Sequence, residues 1–361
     1  VGLPQSATVA HALAGTLLIQ CRPEHVEDAA RVAGTRGGGL VVSGPEATRT
    51  ARLVREQGFG GPLLCDAERY CGKRRILASE GVTSGWVRQQ LDMCEAALTD
   101  SGYIGTADTG GLRTVLTEAA RLGPRVIALL PLAKSWLTTP AVQDLVAEVR
   151  RHDVPVALAV EDSRDPLATR KAVHGLLTVL QESPVPVLLI RSDTSAVGAL
   201  CYGALAGAVG TRPSVRHIAP PGGGFSSTSE PSAFVRMLLD YYTVGRIADI
   251  AQQTPDLSQL WECECDECGG RSLRRLATVS DPERQEALAF RHSLHALFDL
   301  HIGIARPHTT RQAWMRSWHE HCSNALNLHA DIRRHDPTWR RPSALSSWHE
   351  VSRRFVPREV T

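Results

Sequence analysis

The stretch PVALAVEDSRDPLATRKAVHGLLTVLQESPVPVLLIRSDTSAVGALCYGALAGAVG, residues 155–210, decides the fold. It holds three short apolar runs, Pro155–Val160, Pro186–Ile190 and Leu205–Val209, with helix-period segments between them, one closed by Ser183-Pro184. Apolar runs of this length without polar alternation read as strands buried on both faces, and helix-length connections between them mark parallel βαβ units. Working outward, the same pattern predicts strands at Thr16–Cys21, Gly39–Ser43, Pro62–Asp66, Tyr103–Asp108 and Arg125–Leu130, with Gly123-Pro124 and Thr139-Pro140 as helix punctuation. Eight βα units in sequence predict an α/β chain folded as a (β/α)8 TIM barrel. An open doubly wound sheet is the competing arrangement, but no strand leads into a G-x-G-x-x-G turn; Gly37-Gly38-Gly39 precedes a strand instead.

The chain has 361 residues, 43% hydrophobic and 22% charged, enough for a sizeable core and incompatible with wholesale disorder. Its 40 Lys+Arg against 38 Asp+Glu leave a net charge of +2, so any contact with a polyanion has to be local. No apolar stretch is long enough to span a bilayer, and the first residues lack a basic start followed by an apolar run. A soluble, cytoplasmic protein with no membrane association is expected. Nine cysteines in a chain of this size are not a disulfide framework, and Cys21 and Cys65 fall in strand-like runs where a thiol acts as a small hydrophobe.

In a (β/α)8 barrel the carboxyl ends of the strands form the active face. The acids expected there are Asp66, Asp108, Glu161 with Asp162, and Asp193, of which Asp66, Asp162 and Asp193 are the candidate catalytic carboxylates. Each has an alternative reading as the cap of the following helix.

Beyond the last predicted strand the composition changes. Residues 220–229 read as a loop, Pro231 to Gln253 as a helical stretch carrying Tyr241 and Tyr242, and the rest is rich in Cys, His, Trp and Arg. The expected organisation is a barrel over 1–255, a metal-stapled subdomain over 256–327 and a basic tail over 328–361. Cys263, Cys265 and Cys268 precede a Gly269-Gly270 pair, and a helix predicted over Glu286–Leu300 carries His292 and His295. Zinc takes four tetrahedral N/S ligands, so three thiolates from one knuckle need one more, and either histidine can supply it. A closed Cys3His set leaves no position for water, which makes the Zn2+ structural.

For nucleic acid the candidate contacts are Arg212 and Arg216, with His217, beside the mouth, and Arg271, Arg274 and Arg275 after the knuckle. Tail residues Arg333, Arg334, Arg340, Arg341, Arg353, Arg354 and Arg358 add to them. An arginine fork grips phosphate without reading sequence. Trp314, Trp318, Trp339 and Trp348 lie among these cations and are candidates either for stacking on bases or for the core.

Cys263, Cys265, Cys268 and His292, the last within Ala289-Phe290-Arg291-His292, resemble the zinc site of the tRNA-guanine transglycosylase family, in which a Cys-x-Cys-x-x-Cys knuckle and a helical His follow the barrel. The segment Leu200 to Arg212 is similar to the family's last helix-to-strand segment, which carries the nucleophilic aspartate six residues before an arginine. The run Leu63 to Tyr70 resembles the strand end with its second aspartate, here Asp66. The resemblance spans roughly 66–300. It implies a barrel with a zinc subdomain, structural Zn2+, and guanine or 7-deazaguanine exchange in tRNA or DNA, a pentosyl transfer. It also implies a homodimer or a catalytic partner subunit. Three departures accompany it. Six residues before Arg212 stands Ala206, Asp66 is followed by Ala67-Glu68-Arg69, and residues 131–134, where the family reads its base, hold no acid. Either another carboxylate serves as nucleophile, or the chain is a catalytically inactive nucleic-acid-binding paralogue or accessory subunit.

Overall fold

The computed structural model describes residues 9, 11–222, 230–307 and 309–355, and the chain divides into two compact units, Val1–Phe225 and Ser226–Thr361.

In the first unit, eight strands alternate with helices: β1 (Thr16–Cys21), β2 (Gly39–Ser43), β3 (Leu63–Asp66), β4 (Ala97–Leu98), β5 (Val126–Ala133), β6 (Val156–Glu161), β7 (Val187–Ser192) and β8 (Ala206–Gly210). Seven helices lie between them: α1 (Val26–Arg36), α2 (Ala47–Glu56), α3 (Ser84–Leu91), α4 (Thr109–Arg121), α5 (Ala141–His152), α6 (Arg170–Glu182) and α7 (Ser195–Cys201). Every pairing is parallel, and the ladder runs β3-β2-β1-β8-β7-β6-β5-β4. The fold is a (β/α)8 TIM barrel. Its strands are buried almost throughout, which is why they read as unbroken apolar runs. Small residues in β8 admit α7: a Cβ on Gly207 would lie 2.6 Å from the Ala196 carbonyl oxygen.

Seven of the eight predicted strands are found, shifted only at their ends. The eighth is displaced: β4 is Ala97–Leu98, and the Tyr103–Asp108 run is not a strand. Tyr103 and Ile104 make only isolated bridges to Leu77 and Leu132, and Asp108 caps α4 by accepting from Gly111 N at 2.8 Å.

The ladder has one seam, between β3 and β4, and a side chain closes it. The fully buried amide of Gln90, on α3, accepts from Cys65 N (3.3 Å) and Leu98 N (3.1 Å) and donates to Leu98 O (2.8 Å). One side chain thereby serves backbone groups on both facing strands, which would otherwise be buried and unpaired.

The second unit begins well before the boundary expected at 255. The stretch from Pro231 to Gln253 is not one helix but a hairpin of β9 (Ser232–Val235) and β10 (Asp240–Thr243), turned at left-handed Leu239 (φ 54°), followed by α8 (Val244–Gln253). The hairpin is tied to the helix that carries His292 by Phe234 N, which donates to Ser293 Oγ at 3.0 Å, so it belongs with that unit. Of the loop expected over 220–229, residues 223–229 lie outside the described residues. A short ribbon, β11 (Glu262–Cys263) and β12 (Arg271–Ser272), then leads to α9 (Pro282–Ala305), α10 (Arg311–His335) and α11 (Ser343–Phe355). The expected tail over 328–361 is therefore largely helical and packed: Trp318 and Trp348 meet edge to face at 5.8 Å, and Trp339 is buried against Tyr242 at 4.6 Å. Among the described residues no helix is long and apolar enough to cross a membrane.

Two outcomes follow from these contacts. Gln90→Leu leaves the Cys65 and Leu98 backbone groups without partners and is expected to cost roughly 2 to 5 kcal/mol, read as a lower urea midpoint with an unchanged m-value. His329 sits in the second unit with Nδ1 accepting from Trp339 Nε1 (2.9 Å) and Nε2 donating to Leu238 O (3.1 Å), and burial pushes its pKa down from 6.5 to about 4. The neutral ring is the one that fits. Its contribution is therefore complete above pH 6.5 and lost as pH falls towards 4, on the order of 3 kcal/mol in total. A pH series of melting curves in which His329→Gln abolishes that acid-side slope checks it.

Candidate functional site

At the barrel mouth, side chains from three strands and the loop residue Tyr70 converge on Asp66, the last residue of β3. Its Oδ2 accepts from Gln20 Nε2 of β1 (3.0 Å), Ser43 Oγ of β2 (3.4 Å), Arg191 Nη1 of β7 (3.4 Å) and the Tyr70 hydroxyl (2.6 Å), while Oδ1 takes Glu68 N at 2.9 Å. Burial pushes the Asp66 carboxyl above the usual carboxylate value, and Arg191, the Tyr70 hydroxyl and the Glu68 amide pull the other way. The neighbouring Glu68 carboxylate adds to the upward push, but each hydrogen bond that Asp66 makes is donated to it, so it serves as an acceptor.

Arg191 crosses from β7 to reach it. The guanidinium also donates to Glu68 Oε1, Tyr70 OH (3.4 Å) and the Ser214 carbonyl, and Glu68 in turn pairs with Arg22 at 2.9 Å. Two acids and two bases thus balance, with the Arg191 side chain 2% exposed and Asp66 fully buried. Arg191 Nε is buried without an acceptor among the described residues, which costs about 1 to 3 kcal/mol.

The other candidate acids stand at the rim with partners of their own. Asp162 pairs with Lys134 Nζ (2.6 Å) and accepts from Arg164 N (2.9 Å); burial raises its pKa, but the Lys134 bond and these contacts outweigh that and leave it lowered. Asp193, one residue before the N-cap Thr194 of α7, accepts from Ser195 N at 2.8 Å in a local turn. Glu161 takes the Tyr103 hydroxyl (2.6 Å) and Arg75. All three candidates lie at the carboxyl-end face, as parallel strands require, but each has its own set of partners, and the structure does not assemble them into one catalytic group.

Position 206 is not at the mouth at all. Ala206 opens β8, paired with Thr16 and Leu188 at the amino ends of their strands, whereas the mouth end of β8 is Gly210, level with Gln20. A Cβ at Gly210 would lie 2.1 Å from the Val215 carbonyl oxygen, so β8 has no room for a side chain there.

In the second unit, the sulfurs of Cys263, Cys265 and Cys268 lie 3.6, 3.5 and 3.3 Å from His292 Nδ1, and all four ligand atoms are within 4.8 Å of one another. Those are the edge lengths of a tetrahedron of donors about one ion, so the cluster can hold a metal. The knuckle is shaped by Gly269 and Gly270, both left-handed (φ 58° and 78°), whose amides donate to Cys265 O (2.8 Å) and Cys263 O (2.9 Å). His292 Nε2 donates to Phe234 O at 2.8 Å, which fixes the tautomer and presents Nδ1 to the thiols. His295 instead faces Asp266 at 3.6 Å.

Several expected nucleic-acid contacts are turned to structural work. Arg271 Nε and Arg275 Nη2 donate to the knuckle carbonyls of Cys268 (2.7 Å) and Glu267 (2.9 Å), Arg216 Nε to Gly210 O (3.1 Å), and Arg212 Nε to His25 (3.1 Å). Arg274 is exposed, as are Arg333, Arg334, Arg340, Arg341, Arg353 and Arg354 on and around α10 and α11; Arg358 lies outside the described residues. Trp318, Trp339 and Trp348 are buried and unavailable for stacking, and Trp314 is half-buried. Sequence reasoning missed Arg191, Gln20 and Gln90; the local signals are Gln20 inside the apolar run Thr16–Cys21 and Arg191 directly after the run Pro186–Ile190.

No protein-family model matches the chain, and no curated protein matches it in sequence. Among solved structures it is similar to the carboxyl transferase domain of Rhizobium etli pyruvate carboxylase. The form with pyruvate shares 14% identity at a TM-score of 0.38, over 92% of this chain and 57% of that one. The form with 3-bromopyruvate shares 14% at 0.37, over 79% and 50%. The chain thus covers less than two thirds of those domains.

Cys265→Ser is expected to lower bound metal to a small fraction of one ion per chain and to make the second unit sensitive to protease while the barrel persists. Elemental analysis and limited proteolysis of wild type and variant side by side check this.

Proposed function

We propose that this chain is a zinc-stabilised, nucleic-acid-binding relative of the tRNA-guanine transglycosylases that does not itself perform base exchange, and that it acts as an accessory subunit beside a catalytic partner. The observation that carries this reading is the state of the mouth. Exchange needs a carboxylate free to attack a ribose carbon, with a second group to manage the proton of the departing purine. Here Asp66 is enclosed and engaged by Arg191, and the mouth end of β8 is a glycine under a carbonyl.

Zinc is the metal that the donor set favours: three thiolates and an imidazole suit it, and a closed set of four leaves it a structural role. When bound it stabilises the knuckle, and Arg275, with Nη2 3.4 Å from Cys268 Sγ, adds a donor to the thiolate shell. Support for nucleic acid comes from the exposed arginines Arg333, Arg334, Arg340 and Arg341 at the end of α10 and in the segment that follows it, on a chain of near-zero net charge.

Wild-type protein is expected to bind tRNA or duplex DNA with an affinity that falls steeply with salt. Replacing Arg333, Arg334, Arg340 and Arg341 by Gln should reduce the log–log salt slope by about 0.9 for each lost phosphate contact. In single-turnover assays with labelled guanine, no incorporation and no covalent adduct should form. An adduct mapped to any carboxylate would overturn the accessory reading, and salt-independent or undetectable binding would overturn the nucleic-acid one.

A further inference from the structure

We infer that Arg191 is a built-in plug: the barrel mouth contains a receptor for a guanidinium-type cation, and the chain's own side chain occupies it. Three features of β7 aim that side chain inward. The β7–β8 register is irregular between Leu189 and Ser192, and such a bulge re-aims side chains next to barrel mouths. Arg191 has φ 49°, a left-handed conformation that non-glycine residues keep only where the surroundings impose it. Its amide is pinned by donation to Gln20 Oε1 at 2.6 Å, the same side chain whose Nε2 holds Asp66.

The cavity that the guanidinium fills is a complete set of acceptors for a flat cation. The Asp66 and Glu68 carboxylates, the Tyr70 hydroxyl and the Ser214 carbonyl all receive its Nη hydrogens, and the Tyr70 ring lies with its centroid 5.6 Å from the guanidinium carbon. Arginine does not satisfy the site fully, because Nε is tethered where no acceptor stands among the described residues. A free guanidinium can rotate to use the same acceptors without that constraint. The charge balance favours the same ligand: without Arg191 the quartet holds two carboxylates against Arg22 alone, and a bound monocation restores neutrality. The wild-type mouth is thus closed by its own side chain and takes a cation of this class only when that side chain is withdrawn. This goes beyond nucleic-acid binding and does not depend on it.

The test removes the plug and supplies its head group. Arg191→Ala should melt below wild type, and about 10 mM methylguanidinium chloride should recover most of the loss, as a ligand binding only the folded state does. Equimolar sodium or tetramethylammonium chloride should not, and calorimetry should detect methylguanidinium binding to the variant and none to wild type. Adding Asp66→Asn to Arg191→Ala should abolish the recovery. If Arg191→Ala does not stay soluble, the soluble fraction after dilution from urea is measured instead. A several-fold gain with methylguanidinium over sodium chloride supports the plug, and equal yields overturn it. An unchanged melting temperature for Arg191→Ala, the same recovery by tetramethylammonium, or an equal response of wild type also overturns it. Tests of wild-type binding to polynucleotide are unaffected by any of these results.

Discussion

A parallel barrel must satisfy every backbone group around its ring, and in this protein the ring closes through a side chain. Gln90 supplies the groups that β3 and β4 do not exchange directly. On its other flank β3 is held by a regular ladder to β2, with Asp66 opposite Ser43 at its last rung. The position of Asp66 is therefore set by a strand clamped between a ladder and an amide, and from that position the chemistry of the mouth follows. A carboxylate so placed has no water to carry its charge, and in a low-dielectric interior an uncompensated charge is strongly destabilising. Arg191 meets that requirement, Glu68 shares it, and Arg22 restores neutrality at the rim.

The same requirement organises the second unit by other means. Three thiols and an imidazole ring converge within 4.8 Å, an arrangement that repels itself as thiolates unless a cation sits among them. In the barrel a guanidinium built into the chain compensates the acids, whereas the knuckle has the donor set to take up an ion from outside. The barrel mouth is therefore complete within the polypeptide, and the Cys3His cluster is not.

What the sequence made legible divides along contact range. Strands such as β1 and β2 are readable to the residue because they are dominated by apolar residues buried on both faces, with Gly15 just before β1 and Gly39 opening β2. The knuckle is readable because its ligands are close in sequence and thiols have few other reasons to cluster. The choice between His292 and His295 was not, because it depends on the Phe234 carbonyl that orients one ring. β4 has two residues and offers no periodicity, so the neighbouring Tyr103-Ile104 pair carried a stronger but misleading signal. β9 and β10 have four residues each, and with α8 directly behind them their apolar positions imitate a longer helix. Arg191 and Asp66 are 125 residues apart, and what joins them is a bulge and a left-handed residue in β7 that no local pattern announces.

The geometry of β8 changes how the absence of an acid at position 206 is understood. Counting back from Arg212 leads to Ala206, which suggests a site that lost its acid by one substitution. In the barrel, however, Ala206 is fully buried at the amino end of the strand, on the far side of the core from Asp66 and Arg191. An acid at that position would be a buried charge at the floor of the barrel. The strand end that does reach the mouth is Gly210, where the turn that carries Val215 lies too close for any side chain. That turn also positions Ser214, whose carbonyl receives the Arg191 guanidinium. The glycine, the turn and the plug are thus one mutually dependent arrangement: the glycine admits the turn, the turn supplies an acceptor, and the arginine that uses it engages Asp66. Opening such a mouth to chemistry requires more than adding a carboxylate, because the space in which it would act is already committed to holding the barrel's own charges together.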